Sequence, residues 1–155
     1  MSSAGRWARR RHPAASEPLF VYGTLQFPAV LHELLGRTPG LEAATASGRR
    51  VAALPERVYP GLVPAPAAVA PGFLLHGLTP PEWRVLDAFE DDEYDLRPIP
   101  VHAGDRETYA WTYVWTAAVA EKDWSATEFR AARLPSYVEM CAAWRRDLAL
   151  LTETA

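Results

Sequence analysis

The chain has 155 residues, of which 49% are hydrophobic, a size and apolar content that fit one domain with a single sizeable core. A formal net charge of −3 and a pI near 5.8 leave no basic surplus to neutralise a phosphate backbone, which argues against nucleic acid and for a small-molecule partner. Cys141 is the only cysteine, so an intramolecular disulfide and a multi-cysteine metal site are excluded, and its apolar surroundings read as a core position rather than a nucleophile.

Residues 1–17 are rich in Arg, Ser, Ala and Pro and show little apolar periodicity, so a disordered tail is expected there, ahead of one domain over residues 18–155. No apolar segment follows Arg6, Arg9, Arg10 and Arg11, and no stretch is long enough to span a bilayer; the expectation is a cytoplasmic protein without a membrane partner. Leu19 to Tyr22 is a short apolar run stopped by Gly23, which predicts a buried strand opening into a turn. Pro28 then opens a helix through Leu35, with Val30, Leu31, Leu34 and Leu35 on one side and Gly36 as its stop.

Leu41 to Leu54 is small and Ala-rich, a weak strand pattern, and the five prolines between Pro55 and Pro71 predict a surface loop that could wall a cleft. Gly72 to Leu78 is strand-like again. Thr79-Pro80-Pro81-Glu82 has the form of a capping box with proline at the first helical position, and the helix it starts should run to Phe89 with Trp83, Leu86 and Phe89 facing inward. Leu96 to His102 and Thr108 to Trp115 read as strands joined by a turn at Gly104-Asp105; in the second, Tyr109, Trp111, Tyr113 and Trp115 share one face. Two further boxes, Ser125 to Glu128 and Ser136 to Glu139, predict two C-terminal helices split by Pro135, the last amphipathic through Val138, Cys141, Trp144, Leu148 and Leu151. Adjacent strands late in a mixed order indicate an α+β domain rather than a regularly alternating parallel sheet.

Two segments could carry chemistry. In Tyr22-Gly23-Thr24-Leu25 the glycine would let the backbone approach a ligand, with the N–H groups around Thr24 and Leu25 aimed at a carboxylate or an oxyanion; the plainer reading is an ordinary turn after a strand. The run Asp87 to Asp95 holds six acidic residues, and its plainer reading is a solvated helix end. Within it, Glu90 follows Phe89 and lies one helical turn after Leu86, and a carboxylate among apolar side chains tends toward a raised pKa suited to proton transfer near neutrality. Calcium-loop spacing is missing, His12, His32, His76 and His102 have no metal-ligand spacing, and there is no dinucleotide or Walker glycine pattern, so no metal is expected.

Taken together, Tyr22-Gly23-Thr24-Leu25, Tyr59-Pro60-Gly61-Leu62, and Leu86-Asp87-Ala88-Phe89-Glu90 followed by Tyr94 and Arg97 resemble the gamma-glutamylcyclotransferase family, including its AIG2-like members, over about Leu19 to Trp115. The resemblance implies a small α+β domain whose β-barrel-like sheet is flanked by helices. It implies an acyltransferase that needs no cofactor and cyclises a γ-glutamyl group to 5-oxoproline with release of an amine or amino acid. In that role Tyr22, Gly23, Thr24 and Leu25 would bind the glutamyl part and Glu90 would be the catalytic acid/base. Many members carry glycine after that glutamate, where this chain has Asp91. Two rivals share the expected fold: a binding module for a small amino-acid-like ligand, and an enzyme that removes a γ-glutamyl cap from a natural-product amine.

Overall fold

The computed structural model describes residues 17 to 154. The expected N-terminal tail therefore lies outside the described residues except for Glu17, whose carboxylate accepts a hydrogen bond from Trp111 Nε1 at 2.7 Å.

Five strands, β1 (Leu19–Val21), β2 (Leu41–Ala53), β3 (Pro60–Leu75), β4 (Tyr94–Ala103) and β5 (Arg106–Trp115), close into a barrel in the spatial order β1-β3-β2-β4-β5. Among the described residues, four α-helices complete the domain: α1 (Pro28–Leu35), α2 (Pro80–Phe89), α3 (Ala126–Ala132) and α4 (Leu134–Thr154). The class is α+β, as the late pair of adjacent strands indicated. Closure depends on β1, which pairs antiparallel with β3 through Leu19↔Leu75 and parallel with β5 through Leu19↔Trp111. Beyond the end of β1, β3 and β5 meet each other directly at Leu62↔Val114.

The strand pattern sorts side chains onto two sides. Phe20, Ala44, Ala46, Leu62, Ala70, Leu74, Val101, Ala103, Ala110 and Val114 fill the barrel, where small side chains suit a narrow interior. This accounts for the Ala-rich character that made β2 look weak in sequence. The opposite faces of β1 and β5, carrying Leu19, Val21, Trp111, Tyr113 and Trp115, form a second core with Leu31, Leu34, Trp83, Leu86, Phe129 and Cys141 from the helices. Thr112 points to the barrel interior yet stays satisfied, its hydroxyl donating to the Phe20 carbonyl at 2.9 Å.

One expectation is overturned. The proline-rich stretch is not a surface loop: from Pro60 onward it is the first part of the long strand β3, which pairs with β2 from Ala53↔Pro60 to Leu41↔Leu75. Three of its prolines sit where a strand tolerates them. Pro60 is the first residue of the strand, and Pro64 and Pro66 fall where the register slips between Ser47 and Arg49, at a bulge beside Gly48 with φ of 75°. Only residues 54–59 remain a connection. A smaller difference concerns Ser136, which does not cap a helix; α4 starts at Leu134, and the Ser136 hydroxyl donates back to the Arg133 carbonyl at 3.1 Å.

Helix bounds otherwise follow their caps. Gly36 closes α1 in the left-handed conformation at φ 76°, its N–H donating to the His32 carbonyl. Both halves of the Thr79–Glu82 capping box are present at the start of α2. Among the described residues, no helix is long and apolar enough to cross a membrane.

Candidate active site

The site begins where β1 leaves the barrel. After Val21 the chain turns through Tyr22 and Gly23 into a single 3-10 turn, Thr24–Gln26, closed by Gln26 N–H to the Gly23 carbonyl at 3.2 Å and Phe27 N–H to the Thr24 carbonyl at 3.3 Å. Glycine is required at position 23 by space: a Cβ there would lie 2.8 Å from Pro60 Cγ and 2.9 Å from Pro60 Cδ. The Tyr22 hydroxyl donates to the Tyr113 carbonyl at 2.6 Å, and Gln26 Nε2 donates to the Tyr22 carbonyl at 2.9 Å, so both sides of the turn are pinned. Thr24, only 7% exposed, shares a 3.2 Å hydrogen bond with the Tyr137 hydroxyl of α4. Among the described residues no acceptor meets the N–H groups of Gly23, Thr24 or Leu25. All three residues line a cavity of about 220 Å³.

Helix α2 delivers the carboxylate to the same cavity. Trp83 and Leu86, both fully buried, anchor its inner face. The helix stops at Phe89, and Glu90 takes an extended conformation (φ −72°, ψ 145°) while its N–H still donates to the Leu86 carbonyl at 3.1 Å. Glu90 thus leaves the helix axis at the cavity wall. The structure brings Tyr22, Gly23, Thr24, Leu25 and Glu90 together around one space.

Further residues complete the walls, among them Tyr59 and Pro60 of the proline-rich stretch expected to wall a cleft. Tyr59, Pro60, Asp91, Tyr94 and Tyr113 line the barrel side, and Tyr137, Met140 and Trp144 line the helical side. Tyr59 and Tyr94 belong to the segments that carry the family resemblance. Tyr137, Met140 and Trp144 recur along one face of α4, a pattern visible in the sequence; nothing local shows that this face meets Thr24, 113 residues away from Tyr137. Trp144 packs edge-on against Phe89 with ring centres 4.9 Å apart, which closes the helical wall onto the end of α2. Arg97, part of the motif, stays outside the cavity lining and pairs with Asp95 at 2.6 Å.

Burial dominates the electrostatics. It pushes the phenols of Tyr22, Tyr94 and Tyr137 well above the ordinary value, and the negative charge of Glu90 raises each of them further. The three phenols that share the cavity lining with Glu90 are therefore neutral at ordinary pH, their hydroxyls engaged with the Tyr113 carbonyl, the Pro60 carbonyl and Thr24. Burial, followed by the charges of Glu33 and Glu90, pushes the Cys141 thiol up to about 12, in keeping with an inert core cysteine. Among the described residues no group of three or more His, Cys, Asp or Glu is placed to hold a metal ion. Chemically, the cavity offers backbone donors to an oxygen at one wall and a carboxylate to a proton at another.

Comparison with known proteins agrees with this architecture. The family described as "Gamma-glutamyl cyclotransferase, AIG2-like" matches residues 19–128. AIG2-like protein D of Arabidopsis thaliana is 32% identical over 142 residues, covering 85% of this chain and 91% of that protein. AIG2-like protein C of the same plant is 41% identical over 103 residues, a match that covers 65% of this chain and only 60% of that relative's length. A solved structure titled "Gamma-glutamyl cyclotransferase" shares the fold, with a TM-score of 0.60 at 13% identity over 83% of this chain and 87% of that one. A family match across the barrel, the glycine turn and the Glu90 segment shows that the chain belongs to the AIG2-like gamma-glutamyl cyclotransferase family.

Proposed function

We propose that this chain is an active gamma-glutamyl cyclotransferase, converting a γ-glutamyl amide into 5-oxoproline and a free amine. The observation that carries the reading is that the Gly23–Leu25 turn and Glu90, from separate parts of the fold, line one cavity. In this reaction the substrate's α-amine attacks its own γ-carbonyl carbon. The ring C–N bond forms, the bond to the leaving nitrogen breaks, and Glu90 carries the amine's proton to that nitrogen, so no proton is gained or lost overall.

The N–H groups at the turn would hold the glutamyl group or the tetrahedral oxyanion, an effect typically worth about 3 kcal/mol per donor. Enclosure supplies the other part, because a glutamyl chain folded toward ring closure can reach effective molarities on the order of 10⁵ M. The neutral tyrosine hydroxyls support this without adding a competing base.

The test is a panel of γ-glutamyl amino acids, γ-glutamyl amines and glutathione assayed for 5-oxoproline with the wild-type chain and Glu90→Gln. Wild-type turnover is expected, with a loss of about 10²-fold or more in Glu90→Gln at an unchanged melting temperature. Near-normal turnover by the variant would remove Glu90 from its role. Tight binding of a γ-glutamyl compound without turnover would make the protein a binding module.

A further inference from the structure

The stretch that follows α2 is held by more than its own turn. Asp91 is fixed at three atoms: Oδ2 accepts from the Tyr59 hydroxyl at 3.0 Å, Oδ1 from the Glu93 N–H at 3.1 Å, and its carbonyl from the Tyr94 N–H at 3.1 Å. The Tyr59 hydroxyl accepts in turn from Arg57 Nε at 3.2 Å. Burial and the bond to Asp91 raise the Tyr59 phenol, which keeps it a donor toward that carboxylate.

Arg57 is itself presented by a tight connection. Glu56 adopts a positive φ of 59°, and the Arg57 N–H returns to the Leu54 carbonyl at 3.4 Å. Its guanidinium then lies 5.1 Å above the centre of the Trp115 ring, donates to Glu93 Oε1 at 2.7 Å and sits 3.8 Å from Asp91 Oδ2.

The contacts of Arg57 with Trp115 and Glu93 already tie the 54–59 connection to the barrel. The Tyr59–Asp91 bond adds something different, because both residues line the cavity and Asp91 is bonded directly to Glu90. Glu90 is thereby constrained from both ends: its own N–H is fixed to the last turn of α2, and its carbonyl side leads into a residue fixed at three atoms. A group that must move a proton needs such constraint, since a misplacement of about 1 Å can cost about 10²-fold.

We propose that Tyr59 and Asp91, aligned by Arg57, are positioning residues that set the Glu90 carboxylate in the cavity; the inference rests on the role of Glu90 in the cyclotransfer reading. It requires that the pair act on the chemical step and act as a unit.

The experiment measures kcat, KM and melting temperature for Tyr59→Phe, Asp91→Ala, their double variant and Asp91→Asn, using a γ-glutamyl substrate the wild-type chain turns over. Tyr59→Phe and Asp91→Ala should each lower kcat about tenfold with KM within about twofold, and the double variant should be no worse than either. Asp91→Asn keeps an oxygen for the Tyr59 hydroxyl and should fall only about threefold. Losses that multiply in the double variant, a change confined to KM, or unchanged kcat in Tyr59→Phe would each overturn the proposal while leaving cyclotransfer intact. A wild-type chain that forms no 5-oxoproline would overturn both.

Discussion

Replacing Gly23 with alanine should damage stability and turnover together, by amounts set by the Pro60 ring. The added methyl would sit 2.8 Å from Cγ and 2.9 Å from Cδ, where ordinary contact begins at 3.4 Å, so the turn must back away by about 0.6 Å. Pro60 cannot yield easily, because its ring is stiff and its carbonyl accepts the buried Tyr94 hydroxyl. Overpacking of this kind costs about 1–3 kcal/mol, which for a chain of this size lowers the melting temperature by roughly 3–10 °C. The same displacement moves the N–H donors of Thr24 and Leu25, so kcat/KM for 5-oxoproline formation should fall about tenfold or more. Thermal melts and the 5-oxoproline assay read the two effects separately. Pro60→Ala removes both clashing carbons, so in the Gly23→Ala/Pro60→Ala double variant part of the stability should return, with a coupling of about 1 kcal/mol or more. Additive losses, or a Gly23→Ala protein with wild-type melting temperature and turnover, would refute the claim that this contact sets the turn.

Glu82 accepts from Arg37 at 2.7 Å and from the Thr79 N–H at 3.0 Å, which lowers its carboxyl below the ordinary 4.5. Its contribution is therefore complete above pH 4.5 and disappears as pH falls through the lowered folded value; the stability gap between wild type and Glu82→Gln should be about 1 kcal/mol at neutral pH and narrow as the pH is taken below 4.5. Tyr22, Tyr59, Tyr94 and Tyr137 have phenols raised above 10.0, so the stability they confer is complete below pH 10 and lost above it. Spectrophotometric titration of the folded protein should show the phenols of Tyr22, Tyr94 and Tyr137 ionising later than in the unfolded chain, and replacing each by Phe should remove that late absorbance step. Tyr137→Phe takes away the hydroxyl partner of buried Thr24 and should cost about 1 kcal/mol in a denaturant melt, with an unchanged m-value.

Much of the local structure was legible because punctuation residues state their own constraints. Pro28 and Gly36 bracket α1, and Thr79 to Glu82 set the start of α2, in each case through a backbone requirement confined to a few neighbours. Alternation along Tyr109 to Trp115 revealed a two-sided strand, and the structure places Trp111, Tyr113 and Trp115 on the helix-facing side. Proline count misled the reading of residues 55–71, because the rule that excludes proline from sheets is waived at a strand's first residue and at a bulge, and neither could be located before the partner strand was known. The site divides in the same way. Glycine turn and helix-terminal glutamate announced themselves through local pattern, whereas Tyr137, Met140 and Trp144 reach the cavity only because α4 packs back onto the start of the chain. Arg145 records that packing, donating from Nε to the Leu34 carbonyl of α1 at 3.0 Å.

The short strand β1 carries one further consequence, for the order in which activity appears as the chain folds. Three residues long, it wedges between β3 and β5, and its parallel contact with β5 joins Leu19 to Trp111 across most of the domain. Loop closure of that span is costly, whereas the β2–β3 and β4–β5 hairpins are local and can form first. The glycine turn emerges from the end of β1, so it has no fixed place until that wedge is seated. In a refolding experiment, catalytic competence should trail the recovery of sheet signal, and slowing β1 insertion, for example with Leu19→Ala, should lengthen that lag without delaying the hairpins.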